Sequence, residues 1–325
     1  MRSRRGVIPV VGGIILCAGV LMTSVRAAEG PPPPSPPPQR ITALQAAVLG
    51  FIQGMTEYLP VSSTGHLILT NHALGLSRFS GESGPLGPKI VIDDSVEAFD
   101  IVLHLGTVLA VLGLYRKRVV QMARGLMGRD PDGMRLLAAL GIAFLPAAFV
   151  GLAFNKPIKE TFYNPVSVAA ALAIGGVLMI VIERYFWTRR KNIPRVTQVD
   201  HVRLWQAFVI GCAQCIALMP GTSRSMITIL AALVIGLDMV TAAEFSFLVA
   251  LPTLGAATVY EGYKHWSVMT ESVGMDGMII GLLVTTVVAA LAIKGLVKWL
   301  SGHGLAPFGY YRIALAAAVL AYFAW

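Results

Sequence analysis

The chain has 325 residues, of which 55% are hydrophobic and 13% charged, and its mean hydropathy is +0.69. So apolar a composition at this length excludes an ordinary soluble domain and points to an all-α polytopic membrane protein. The net charge of +9 does not point to nucleic acid, because the basic residues sit in short runs between apolar blocks, as in "YRKR" (115–118) and "RRK" (189–191); that pattern reports membrane topology.

The N-terminus carries Arg2, Arg4 and Arg5, an apolar run over 7–22 and small residues at Ala27 and Ala28. This is the layout of a secretory signal peptide over 1–28, cut after Ala27 or Ala28, with an uncleaved signal anchor as the alternative. Cys17 follows no lipobox. Residues 29–40 contain "PPPPSPPP", a polyproline II spacer that cannot build a core.

Apolar blocks long enough to cross about 30 Å of hydrocarbon run over 98–115, 134–154, 166–187, 243–260, 278–300 and 310–325, which predicts about six transmembrane helices. Segments 41–76 and 204–237 are apolar at their ends but broken in the middle by proline, glycine and hydroxyl residues. They read as two re-entrant helical hairpins. Six basic residues between 116 and 135 and five between 188 and 203 place both connections in the cytoplasm, and the acidic 77–97 loop outside. Cys212 and Cys215, in "GCAQC", read as small apolar side chains and not as a redox or zinc pair.

An internal repeat relates "YLPVSSTGHLIL" (58–69) to "LMPGTSRSMITIL" (218–230), with Pro60 on Pro220 and Ser63 on Ser223. Downstream, "EAFDIVLHLGTVLAV" resembles "EFSFLVALPTLGAA", with Phe99 on Phe245 and Thr107 on Thr253. The repeats extend over about 41–154 and 204–300. Three spans separate the hairpins, so the copies are inverted and their broken tips can face each other near the midplane.

The tips hold residues that hydrocarbon penalises. Glu57, with Gln53 four residues earlier on the same helical face, offers oxygen ligands to a hard divalent ion; the alternative is a helix-terminal glutamate paired with an arginine. Ser62, Ser63 and Thr64 form either an N-cap cluster or, with the amides of a buried helix N-terminus, a phosphate site. His66 sits in the first turn after them, where a general acid or base would serve. In the second tip Arg224 lies between Ser223 and Ser225, and its fork suits phosphate unless it serves only to neutralise Glu57. Together these groups form a phosphoryl-transfer constellation.

The stretches "QGMTEYLPVSSTGH", "FDIVLHLGTVLAV", "PGTSRS" and "AAEFSFLVALP" resemble the undecaprenyl-diphosphate phosphatases, also called the bacitracin-resistance proteins, across residues 41–325. The resemblance implies a multi-pass enzyme of the bacterial inner membrane, its active site facing the periplasm. Such an enzyme hydrolyses undecaprenyl diphosphate to the monophosphate carrier used in cell-wall synthesis, and depends on a divalent cation. The partners implied are the polyprenyl diphosphate and membrane lipids, with no nucleic acid; a homodimer is compatible. The acidic motif falls on Gln53 and Glu57, the serine motif on Ser62, Ser63, Thr64 and His66, and the arginine motif on Ser223, Arg224 and Ser225. Two positions depart from the common pattern: Gln53 replaces a glutamate and Met226 a glycine; His104 stands where a glutamine is expected, either as an extra polar contact or only as a helix-packing residue.

On this reading Glu57 and Gln53 hold Mg²⁺ or Ca²⁺ on the diphosphate, and Arg224 with the tip amides stabilises the transferring phosphoryl group. Ser63 is the expected nucleophile with His66 as base, and attack by water activated at His66 uses the same residues. A transporter or flippase of polyprenyl phosphates is the rival reading, since inverted repeats with broken helices also serve transport.

Overall fold

The computed structural model describes residues 41–84, 87–92, 94–189, 195–267, 270 and 273–323. The expected signal segment, the proline-rich linker and Cys17 lie outside them. The first hairpin is α1 (Ala43–Thr56) and α2 (Ser63–Ala73), each far shorter than a membrane span. β1 (Ser77–Gly84) and β2 (Gly87–Ile92) then pair antiparallel, with Ser77 opposite Ile92 and Phe79 opposite Ile90. This hairpin lies where the sequence predicts only a loop. Glycines and prolines at 81, 84, 85, 87 and 88 break the alternation that would announce strands.

The chain continues as α3 (Asp94–Leu114), α4 (Arg116–Leu126), α5 (Pro131–Phe162) and α6 (Pro165–Arg189). The second hairpin is α7 (Leu204–Gln214), a 3₁₀ turn (Cys215–Leu218) and α8 (Arg224–Val234), followed by α9 (Met239–Lys264), α10 (Gly274–Leu300) and α11 (Ala306–Phe323). Helices α3, α5, α6, α9, α10 and α11 contain the candidate membrane spans, six among the described residues. They coincide with the six apolar blocks in the sequence, and the protein is an all-α multi-pass membrane protein apart from the small β-hairpin. Cys212 and Cys215 are unbridged and half-buried in and beside α7.

The two hairpins are built alike, in a register one residue away from the sequence expectation. Gln45 and Gln206 each accept from the backbone N–H that opens their helix, at 2.9 and 3.0 Å, and each donates to the carbonyl closing the next, Leu74 at 3.3 Å and Ile235 at 3.1 Å. Ser62 and Ser223 each cap the following helix from a positive φ, 73° and 72°, their hydroxyls accepting from Gly65 N and Met226 N at 3.3 Å. Ser62 is therefore the counterpart of Ser223, and Ser63 of Arg224. Matching prolines and serines by residue type slips the register, because the repeated feature is a backbone turn whose flanking residues differ.

Small residues bring the first hairpin against α10. A Cβ on Gly54 would lie 2.7 Å from Thr285 O and 3.0 Å from Ala289 N, so only glycine permits this approach. Thr285 Oγ1 also donates to Gly50 O at 3.1 Å. Tyr58, Ile210, Ile229, Phe245 and Phe247 form the buried core around the tips. At one end of the bundle Arg118, at the start of α4, reaches Asp200 at 3.6 Å and Glu244 at 3.2 Å. The two basic connections thus sit side by side. Glu97, near the start of α3, pairs with Lys159, near the end of α5.

Candidate active site

The tips are short turns forced by sequence. Pro60 and Pro220 interrupt the preceding helices, and the residue beginning each return helix's cap is a serine held at positive φ. Such a conformation costs a non-glycine residue on the order of 1–3 kcal/mol and recurs at functional sites. Serine holds the position because its hydroxyl, unlike a glycine hydrogen, caps an exposed amide. Ser225 Oγ donates to Leu59 O at 3.1 Å and lies 3.1 Å from Ser223 Oγ, stitching one tip to the other.

Glu57 lies where the tips meet, its side chain 5% exposed. Arg224 Nη2 donates to Oε1 at 2.9 Å, and Ser63 Oγ and Gln53 Nε2 donate to Oε2 at 2.8 and 3.2 Å. His104 Nε2 stands 3.5 Å from the same oxygen, while its Nδ1 meets Asp100 O at 2.9 Å. His104 is therefore a polar member of the site and more than a packing residue. Arg224 also donates through Nη1 to Ser246 O at 2.9 Å, and its guanidinium carbon lies 5.4 Å from the centre of the Tyr58 ring. The two residues equivalent in the repeat, Ser63 and Arg224, converge on one carboxylate from opposite sides. The ion pair weighed as an alternative role for Arg224 is formed.

The expected pairing of His66 with Ser63 is not formed. His66 Nδ1 meets Ser62 O at 2.7 Å and Nε2 meets Tyr311 Oη at 2.7 Å, with the two rings stacked. A carbonyl only accepts, so Nδ1 carries the proton; in the neutral ring Nε2 then accepts from the tyrosine hydroxyl. Tyr311 draws the imidazole toward α11, away from the serine one turn earlier. Thr64 is half-buried in the first turn of α2 and makes no hydrogen bond through its side chain among the described residues.

Among the described residues no three His, Cys, Asp or Glu side chains converge as metal ligands. The expected pair supplies one carboxylate and one amide, and Gln53 Oε1 is buried with no hydrogen-bond partner. A divalent ion that keeps its waters and takes phosphate oxygens needs few protein ligands. The orphaned amide oxygen beside the carboxylate fits such an ion.

Sequence reasoning missed Arg312 in α11. It is fully buried and donates to Pro60 O and Gly221 O, one carbonyl from each tip, at 3.4 and 3.0 Å. The available clue was an arginine inside an otherwise apolar terminal span.

With this geometry in place, the chain compares closely with known proteins. The family described as "Bacitracin resistance protein BacA" matches residues 46–318. An undecaprenyl-diphosphatase of Sorangium cellulosum (strain So ce56) is 46% identical over 276 residues, covering 85% of this chain and 84% of that protein. An undecaprenyl-diphosphatase of Azotobacter vinelandii (strain DJ / ATCC BAA-1303) is 39% identical, with 86% and 93% covered. "Undecaprenyl-diphosphatase 2" of Rhodospirillum rubrum is 40% identical, with 86% and 95% covered. A match across the tips, the spans and the carboxylate–arginine pair between them means that the chain belongs to the bacitracin resistance protein BacA family.

Proposed function

We propose that this protein is an undecaprenyl-diphosphatase, hydrolysing undecaprenyl diphosphate to undecaprenyl phosphate and inorganic phosphate, and that it thereby recycles the carrier lipid and confers bacitracin resistance. The observation that carries the reading is the convergence of Ser63 and Arg224 on Glu57 between two helix N-termini. An anion carrier needs the arginine and the amides; it has no use for a hydroxyl hydrogen-bonded to a carboxylate. The relatives' names point the same way.

In the mechanism we favour, the diphosphate enters between the tips and takes Arg224 as its partner. Ser223, Ser225, Ser62, Thr64 and the first amides of α2 and α8 hold the remaining phosphate oxygens. Ser63 Oγ attacks the terminal phosphorus and passes its proton to Glu57 Oε2, its acceptor at 2.8 Å. The Oγ–P bond forms as the anhydride P–O bond breaks, and undecaprenyl phosphate leaves as an anion without needing a proton. Water then attacks the phosphoserine: one of its protons passes to His66 Nε2, which gives up the Tyr311 hydroxyl to take it and later releases it to solvent, and the other stays on the new phosphate. The P–Oγ bond breaks as Glu57 returns to Ser63 Oγ the proton it had taken, and inorganic phosphate departs. Gln53 and Glu57 would hold a Mg²⁺ or Ca²⁺ ion, which neutralises charge on the diphosphate when bound.

The protein is further proposed to lie in the bacterial inner membrane with the tips open to the periplasm, since the basic connections belong on the cytoplasmic side. Purified protein in detergent, given undecaprenyl diphosphate and Mg²⁺ or Ca²⁺, is expected to release inorganic phosphate and to stop when EDTA is added. Absence of phosphate release with every divalent ion supplied would discard the hydrolase reading. Ser63→Ala is expected to abolish release; full activity in that variant would replace the covalent route by direct attack of water.

A further inference from the structure

The side chain that connects most of the site touches none of the groups assigned to chemistry. Arg312 lies in α11 with no exposed surface. Its hydrogen-bond acceptors are all backbone carbonyls: Pro60 O in the first tip, Gly221 O and Thr222 O in the second at 3.0 and 3.1 Å, and Ala171 O and Leu172 O of α6 at 3.0 and 3.3 Å. Among the described residues no carboxylate pairs with it. A buried cation without a counter-ion is expensive inside a membrane, so its persistence asks for a reason beyond packing.

Its seat is built. A Cβ on Gly175 would fall 2.4 Å from Arg312 Nη2, so glycine on α6 makes room for the guanidinium. The planar five-donor fork suits this task, because it can reach several fixed carbonyls at once, which a lysine cannot do. The Thr222 carbonyl points at the guanidinium, so in a trans peptide the Ser223 N–H points away from it, and the cation polarises that amide. Tyr311, one residue earlier in α11, holds His66.

We infer that Arg312 is a positioning residue for the phosphoryl-transfer site. It braces the two strained tips against α6 at the separation that lets Ser63 and Arg224 meet on Glu57, and its uncompensated charge adds positive potential behind both helix N-termini. It holds the tips from their carbonyl side and leaves substrate contact to them. The inference rests on the proposed hydrolase function only for its kinetic consequence.

The test uses the full chain in detergent with two variants. Arg312→Lys keeps the charge but loses the fork, and Gly175→Ala displaces the guanidinium while substituting no tip residue. The Cβ of that alanine also falls 2.8 Å from Met226 Cε, the far end of a flexible side chain, so exchange at residues 219–225 is the stricter readout for this variant. Turnover of undecaprenyl diphosphate per folded molecule is read beside hydrogen exchange, resolved by mass spectrometry, at residues 58–65 and 219–226. Each variant that folds is expected to lose at least about tenfold in kcat, the scale of a small misplacement of reacting groups, with faster exchange confined to the tips. A loss in kcat below tenfold, or tip exchange unchanged from wild type, overturns the inference. If Arg312→Lys does not fold, Gly175→Ala decides by the same thresholds. If neither folds, the arginine holds the fold and not the site, and the inference falls. If the wild-type protein releases no phosphate, the hydrolase reading fails by itself, and exchange at the tips still decides whether Arg312 braces them.

Discussion

At the scale of single residues, Glu57 faces hydrogen-bond donors and the imidazole of His104, so its charge is held by Arg224 together with the Ser63 and Gln53 donors beside it. Removing one partner of a buried ion pair strands the other and costs about 3–5 kcal/mol, whereas removing both is far milder. Glu57→Gln and Arg224→Met are each expected to lower the melting midpoint in detergent, while the double variant recovers most of that stability and none of the activity. A double variant that loses the sum of the two single losses would mean that the pair is not coupled. His66→Ala is expected to reduce phosphate release by about 10²–10⁴-fold, the usual contribution of an acid–base group, with the protein still folded. These residue types were visible in the sequence, but their partners were not. His66 stands one helical turn from Ser63, a spacing that invites a pair, yet Tyr311, 245 positions along the chain, takes its ring nitrogen.

At the scale of elements, the tips and the helix contacts make opposite demands on small residues. Ser62 combines a strained φ of 73° with a helix cap. Ser62→Ala keeps the strain and loses a cap worth about 1 kcal/mol, whereas Ser62→Gly loses the cap but relieves the strain. The glycine variant is therefore expected to melt above the alanine variant; the reverse order would show that the hydroxyl outweighs the backbone. Gly54→Ala forces a Cβ to within 2.7 Å of Thr285 O and should destabilise by about 1–3 kcal/mol. Gly113→Ala meets nothing within 4 Å and should stabilise α3, by up to about 1 kcal/mol. Equal effects at the two glycines, read from thermal melts, would refute the close packing of α1 on α10.

At the scale of the whole molecule, the Arg118 pairs place the two basic connections together, which makes the topology testable. In a background without the natural cysteines, Gly128→Cys is expected to react with a membrane-impermeant maleimide only from the cytoplasmic side, and Ser267→Cys only from the periplasmic side. Labelling of both from one side would break the six-span count. That count was legible in the sequence because hydropathy is summed locally, and a span needs no partner to be recognised. The two broken hairpins were legible for the same reason: proline, glycine and hydroxyl residues interrupt a helix wherever they stand. The β-hairpin was hidden by its own glycines and prolines, and the repeat register slipped because residue identity and backbone conformation part company at Ser62 and Ser223. By itself, then, the sequence determined a membrane-embedded repeat with an acid in one copy and a base in the other. Only the tertiary structure decided that Ser63 and Arg224 share Glu57, that His66 turns to Tyr311 and that Arg312 ties both tips to α6. Those contacts join residues up to 252 positions apart, several through backbone carbonyls that carry no trace in residue type.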